Sequence, residues 1–181
     1  MNIEKILYSP NVIYLYGEVN DEMARSVVER LAELHKQWEE QGTPLNERHL
    51  VLRINSPGGS ITAGYIVLDN VRITGLKVYT IAEGLAASMG AFLLAVAGTK
   101  GCRYAFRNSE VLIHQPLGGA QGQATELEIV VNRMQKVRKR LNELLAASTG
   151  KTVREIAAAT DRDNWLSAQE ALSFGLIDHM I

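Results

Sequence analysis

The sequence predicts an α/β fold built from parallel β-α units in one domain spanning residues 1–181. Three observations lead there. Short apolar runs alternate with helix-patterned stretches along the whole chain, the order that builds parallel sheets with right-handed crossovers. One apolar run is ended by Gly17 and another runs into Pro57-Gly58-Gly59, as strands bounded by turns do. At 181 residues with 46% hydrophobic content, the chain is one domain by size and long enough to bury a proper core.

The elements follow in order. Val12 to Tyr16 is an apolar run stopped by Gly17, a strand. Asp21 to Glu40 carries Met23, Val27, Leu31, Leu34 and Trp38 at helical spacing on one face. Gln41 to Arg48 is polar with Gly and Pro, a surface loop. Leu50 to Ile54 is a strand, Ser60 to Ile73 a helix, and Lys77 to Ala82 a strand. A buried helix covers 89–97, and strands follow near 102–106 and 110–114. Ala124 to Ala147 is a long helix, opened by Thr125-Glu126-Leu127-Glu128 as a capping box. Leu127, Val130, Met134, Val137, Leu141, Leu144 and Ser148 form its stripe, opposite a crowd of Lys and Arg. Thr152 to Glu155 and Ser167 to Glu170 are two further capping boxes, and Gly175 closes the last helix.

Three motifs carry chemistry. Ser88 stands among small residues in Ala86-Ala87-Ser88-Met89-Gly90, between a strand and a helix. There it fits either a nucleophile, near the free N–H groups of a helix start, or a plain helix N-cap. His114 ends the apolar run Val111-Leu112-Ile113 and leads into Leu117-Gly118-Gly119. It is the one histidine of four with an apolar approach and a glycine-rich exit, which suits a general base or a satisfied core histidine. The strand Leu50 to Ile54 runs into Asn55-Ser56-Pro57-Gly58-Gly59. Paired glycines after a strand can turn backbone N–H groups toward an oxyanion, or form an ordinary turn.

Together Ile54-Asn55-Ser56-Pro57-Gly58-Gly59, Ala86 to Phe92 and Ile113 to Gly119 resemble ClpP, the proteolytic subunits of Clp proteases. Gly122-Gln123-Ala124-Thr125 and Thr160 to Ala171 extend the likeness to most of the chain. The resemblance implies the ClpP/crotonase fold, a spiral of β-β-α units with a protruding handle of a strand plus the long helix. It implies a serine endopeptidase with Ser88 as nucleophile, His114 as base and Asp163 as orienting acid. The N–H groups of Gly59 and Met89 would form the oxyanion hole. Asp161, two residues before Asp163, is the rival for the acid, and the choice rests on the family motif. The expected substrates are peptides and unfolded proteins. The expected assembly is a heptameric ring or double ring, joined through the handle.

Alternatives from other classes are a crotonase-type acyl-CoA enzyme and a regulatory ring subunit paired with an active paralogue. The first gives Ser88 and His114 no joint role; the second is at odds with a full triad. A Ser-Lys peptidase, with Lys77 or Lys100 as base, is a third. A net charge of −1 offers no electrostatic case for nucleic acid. Cys102 is the sole cysteine, which excludes an internal disulfide and a Cys-rich zinc site; no metal or cofactor is expected. No apolar run is long enough for a bilayer and no signal peptide is visible, so the expected location is cytoplasmic.

Three features depart from the family pattern. Only residues 1–10 precede Asn11-Val12, so most of the family's pore-loop segment is expected to be missing. The 41–48 loop reads as an insertion. Val51, Arg53 and Glu83 stand where the family presents an apolar surface to its ATPase partner, while Tyr104 and Phe106 keep apolar character. Coupling to an AAA+ unfoldase is therefore expected to be weak, since unpaired charge opposes docking.

Overall fold

The computed structural model describes residues 3–181. A short helix, α1 (Ile3–Leu7), precedes strand β1 (Val12–Tyr16) and helix α2 (Asp21–Glu40). Then come β2 (His49–Ser56), α3 (Ile61–Ile73), β3 (Lys77–Ala87), α4 (Met89–Ala97), β4 (Arg103–Ala105) and β5 (Glu110–Ile113). The chain ends with α5 (Ala124–Thr149), α6 (Val153–Ala159), β6 (Asn164–Ser167), α7 (Ala168–Phe174) and β7 (His179–Met180).

The sheet runs β1-β2-β3-β4-β7, all parallel. β3 is longer than its apolar run suggests because it serves two neighbours in succession. Thr80 to Ala82 pair with β4, while Leu85 to Ala87 pair with β5. Gly84, at φ 78°, lies between the two stretches. The β2–β3 register shifts between Ile54 and Ser56, so the strands part just before Pro57. β5 also takes an antiparallel partner, β6, in a segment the sequence reads only as a polar connection.

The main core lies between the sheet and helices α2, α3 and α4. All nine residues of α4 are buried, which fits its uniformly apolar sequence. A second apolar cluster, on the other side of the sheet, joins Ile6 of α1 to Val51, Tyr79, Ile81 and Cys102. Asn20 caps α2 by accepting the Met23 N–H at 2.9 Å, and Met23, Val27, Leu34 and Trp38 are buried as its periodicity predicts.

Two expectations about the handle need correction. The box opening α5 is Gln123 with Glu126, not Thr125 with Glu128: the Glu126 carboxylate accepts the Gln123 N–H at 3.1 Å. Both spacings satisfy the motif, and the segment before the helix selects the earlier one. The handle shows its helix but no strand, because 114–123 forms no regular element. Pro116 offers no N–H, and this stretch has no neighbouring strand among the described residues. The first half of α5 stands clear of the body. Its seven stripe positions are all half-buried, and Met134 packs beside Gly118. Ile129 and Val131, off the stripe, are exposed.

Arg53 and Glu83 are not the unpaired charges the sequence suggests. Arg53 Nε donates to Glu83 at 2.6 Å, and the Tyr16 hydroxyl donates to the same carboxylate. The Arg53 guanidinium also lies 5.7 Å from the Tyr14 ring centroid. Burial, the bond to Glu83 and that carboxylate's charge push the Tyr16 phenol up to about 12.

Candidate active site

Ser88 lies where β3 gives way to α4, with φ 53° and ψ −116°. It is the only non-glycine with positive φ among the described residues. Backbone strain of this kind costs roughly 1–3 kcal/mol and needs surroundings that enforce it. Those surroundings are identifiable. The Ser88 N–H donates to Leu112 O at 2.8 Å, tying the turn to β5. Gly58 presses on it from the β2 loop: a Cβ there would lie 2.6 Å from Ser88 Cβ and 2.7 Å from Ala87 O. Gly64 does the same for the next residue, giving way to the Met89 side chain.

Ser88 occupies the N-cap position of α4, yet its side chain makes no capping hydrogen bond. The hydroxyl has no hydrogen-bond partner among the described residues and faces the cleft shared with His114.

Sheet register delivers the other two groups. Ala87 pairs with Leu112, so His114 emerges from β5 beside the Ser88 turn. Ile113 pairs with Asn164 in the antiparallel β5–β6 ladder, so the preceding residue, Asp163, faces the following one, His114. His114 Nδ1 and Asp163 Oδ1 are 3.2 Å apart. Gln115 locks this approach: its N–H donates to Thr160 O at 2.6 Å and its side-chain amide to Asp161 O at 2.8 Å. Asp161 turns away, its carboxylate 3.5 Å from Arg138 and 3.9 Å from Arg162.

Two backbone N–H groups border the same cleft. Val19 bonds to both neighbours of Gly59, through Val19 N–H to Gly58 O and Ser60 N–H to Val19 O. The Gly59 N–H is left without an acceptor among the described residues, and Gly59 lines the cleft with Ser88 and His114. Met89 is the first residue of α4, where N–H groups have no intrahelical acceptor.

A narrow apolar pocket opens beside Ser88, walled by Ile61, Met89, Phe92, Pro116, Leu141 and Leu145. No sequence signal marks this wall separately, because apolar residues on helix faces read the same whether they line a core or a pocket. The remaining histidines lie elsewhere. His49 bonds Ser9, His179 bonds Gly101 O, and His35 sits beside Trp38 at the far end of α2. Lys77 lies over the Tyr79 ring and Lys100 reaches Ser148 O and Asp178, so neither borders Ser88.

Among the described residues no cluster of His, Cys, Asp and Glu could hold a metal ion, and no helix is long and apolar enough to cross a membrane. A strained serine, a histidine and a carboxylate meet beside free backbone donors and an apolar pocket, and the family model for Clp protease matches residues 1–181, the full length of the sequence. The chain belongs to the Clp protease family.

Proposed function

We propose that this chain is a serine endopeptidase that cuts peptides and unfolded proteins with Ser88, His114 and Asp163. The observation that carries the reading is Ser88 itself. A serine held at φ 53° with an uncapped hydroxyl is strained for no structural return, and strain of this sort collects at reacting groups.

The chemistry follows from the geometry. Asp163 Oδ1 lies 3.2 Å from His114 Nδ1, and a carboxylate can only accept, so once the pair aligns as a hydrogen bond the ring proton is held on Nδ1. Nε2 is then the free base. It takes the Ser88 proton as Oγ attacks the substrate carbonyl carbon. The carbonyl oxygen becomes an oxyanion, stabilised by the N–H groups of Gly59 and Met89 and by the start of α4. The imidazolium returns the proton to the leaving amine as the C–N bond breaks. Water, deprotonated by the same nitrogen, then releases the acyl group. The apolar pocket beside Ser88 receives the P1 side chain, the residue just before the cut. No hydrogen bond joins Ser88 Oγ to His114 in the free chain. Such bonds commonly tighten only when substrate arrives.

The reading includes a ring or double ring of copies, seven per ring, assembled in the cytoplasm. The half-buried stripe of α5 and its exposed Ile129 and Val131 support it, since a free-standing helix seeks a partner for its apolar side. Unfoldase coupling is weak. The Arg53–Glu83 pair is satisfied where it stands, and covering it with an apolar docking segment desolvates both charges.

The test is labelling with a serine-directed fluorophosphonate, followed by native mass measurement. Label on Ser88, in an oligomer that cuts a small fluorogenic peptide, is expected. Ser88→Ala should abolish both label and cleavage while keeping the assembly. Full peptide cleavage by purified Ser88→Ala would overturn the reading.

A further inference from the structure

A second serine and histidine meet outside the Ser88 cleft. Ser9 follows α1 and His49 opens β2. Ser9 Oγ and His49 Nε2 are 3.1 Å apart in a hydrogen bond. The other ring nitrogen decides which atom donates. His49 Nδ1 bonds Glu47 O at 3.1 Å, and a carbonyl can only accept, so the neutral ring carries its proton on Nδ1. Nε2 then accepts from the Ser9 hydroxyl. Tyr79 steadies the ring from another side, edge-on with centroids 5.8 Å apart. Hydroxyl, base and orienting group thus stand in the relation that activates a serine.

Ser9 is a buried residue, yet it and His49 both border an open cleft of about 480 Å³, beside Tyr8 and Pro10. That volume suits a small organic ligand. Ser9 Oγ also accepts the Asn11 N–H at 3.1 Å, which leaves it one lone pair for attack. The backbone around it sets the limit of its reactivity. The Ser9 N–H donates to Ile6 O, the Asn11 N–H is spent on Oγ, and Pro10 has no N–H. None of these three residues can hold an oxyanion as paired backbone donors do, so amides and phosphonates are out of reach. Lys5 brings an ammonium to the cleft, offset by Glu4.

We propose that Ser9 is a second acyl acceptor, with His49 as its general base, for small carboxylic esters that carry a good leaving group. Ser9 Oγ attacks the carbonyl carbon while its proton passes to Nε2. The bond from that carbon to the leaving oxygen breaks, and Nε2 returns the proton to the departing oxygen. Ser9 is left as an ester. Water, deprotonated by the same nitrogen, releases the acyl group as a carboxylic acid. The reaction needs neither Ser88 nor the peptidase reading.

The experiment uses the full-length Ser88→Ala protein and 4-nitrophenyl butyrate at neutral pH. Nitrophenolate release is followed, and acid-quenched samples are mapped by peptide mass. A butyryl group on Ser9 is expected. Adding Ser9→Ala should remove it, together with the early rise in nitrophenolate. General-base assistance contributes about 10²–10⁴-fold, so adding His49→Gln should slow acylation of Ser9 at least about 100-fold. Glutamine keeps a hydrogen-bonding group beside Ser9 but cannot take its proton. Melting temperatures equal to that of Ser88→Ala would tie these losses to the site rather than to unfolding. Butyryl groups found only on lysines or on other serines would overturn the proposal. Equal acylation of Ser9 with and without His49 would overturn it as well.

Discussion

Replacing Asp163 in two different ways separates charge from tautomer control. In Asp163→Ala, His114 loses an acceptor 3.2 Å from Nδ1. A hydrogen bond to a charged group is worth ~1.5–3 kcal/mol, or about 10- to 150-fold in rate. The Asp163 side chain is 66% exposed in the free chain, so solvent screening places the loss near the lower end, about 10- to 30-fold in kcat. Asp163→Asn should be worse than Ala despite its closer shape. Its amide can donate to Nδ1, which moves the ring proton to Nε2 and removes the base, a change that costs up to ~10⁴-fold in the serine protease template. Asp161→Asn disturbs only exposed ion pairs with Arg138 and Arg162. Pairs of that kind contribute ~0–1 kcal/mol, so activity should stay within about fivefold. Initial rates on a fluorogenic peptide, with fluorophosphonate acylation rates beside them, decide the order. An Asn variant milder than the Ala variant would refute tautomer control. Equal losses at 161 and 163 would refute the acid assignment.

Three further outcomes follow from particular contacts. Gly58→Ala should lower kcat about 100-fold, the scale of a 1 Å misplacement at a reacting centre, because its methyl meets Ser88 Cβ at 2.6 Å; natural-level peptide cleavage would contradict the packing argument. Asp178→Asn should cost about 3–5 kcal/mol in urea unfolding at neutral pH, since it leaves Arg103, 1% exposed, without its ion-pair partner. Burial would raise the Asp178 carboxyl, but bonds from Arg103 and Gly101 and the guanidinium charge hold it below its usual 3.8. Its contribution is thus complete above that value and lost as pH falls through the lower folded one, so acid unfolding below about pH 4 should be steeper in the natural chain than in the variant. Ile129→Glu, on the free-standing half of α5, should lower the sedimentation coefficient at micromolar protein; an unchanged oligomer would place the ring contacts elsewhere.

Much of this protein was legible residue by residue. α2 and α3 cover the spans the sequence predicts, because a helix closes its hydrogen bonds within a few residues. Ser88 and His114 stood out as well, since small neighbours and an apolar strand end are local features. Other features needed the tertiary structure. β6 is a strand only because β5 lies alongside it, and that antiparallel register brings Asp163 rather than Asp161 to His114. The chain offers two aspartates at nearly equal spacing, and no local propensity distinguishes them. β3 extends to Ala87 because two separate strands claim its two halves, and Gly58 is seen to press on Ser88 only once β2 and β3 lie side by side. Local sequence determines periodicity and caps. Pairing register and close approach are relations between distant segments, so only the folded chain could decide them.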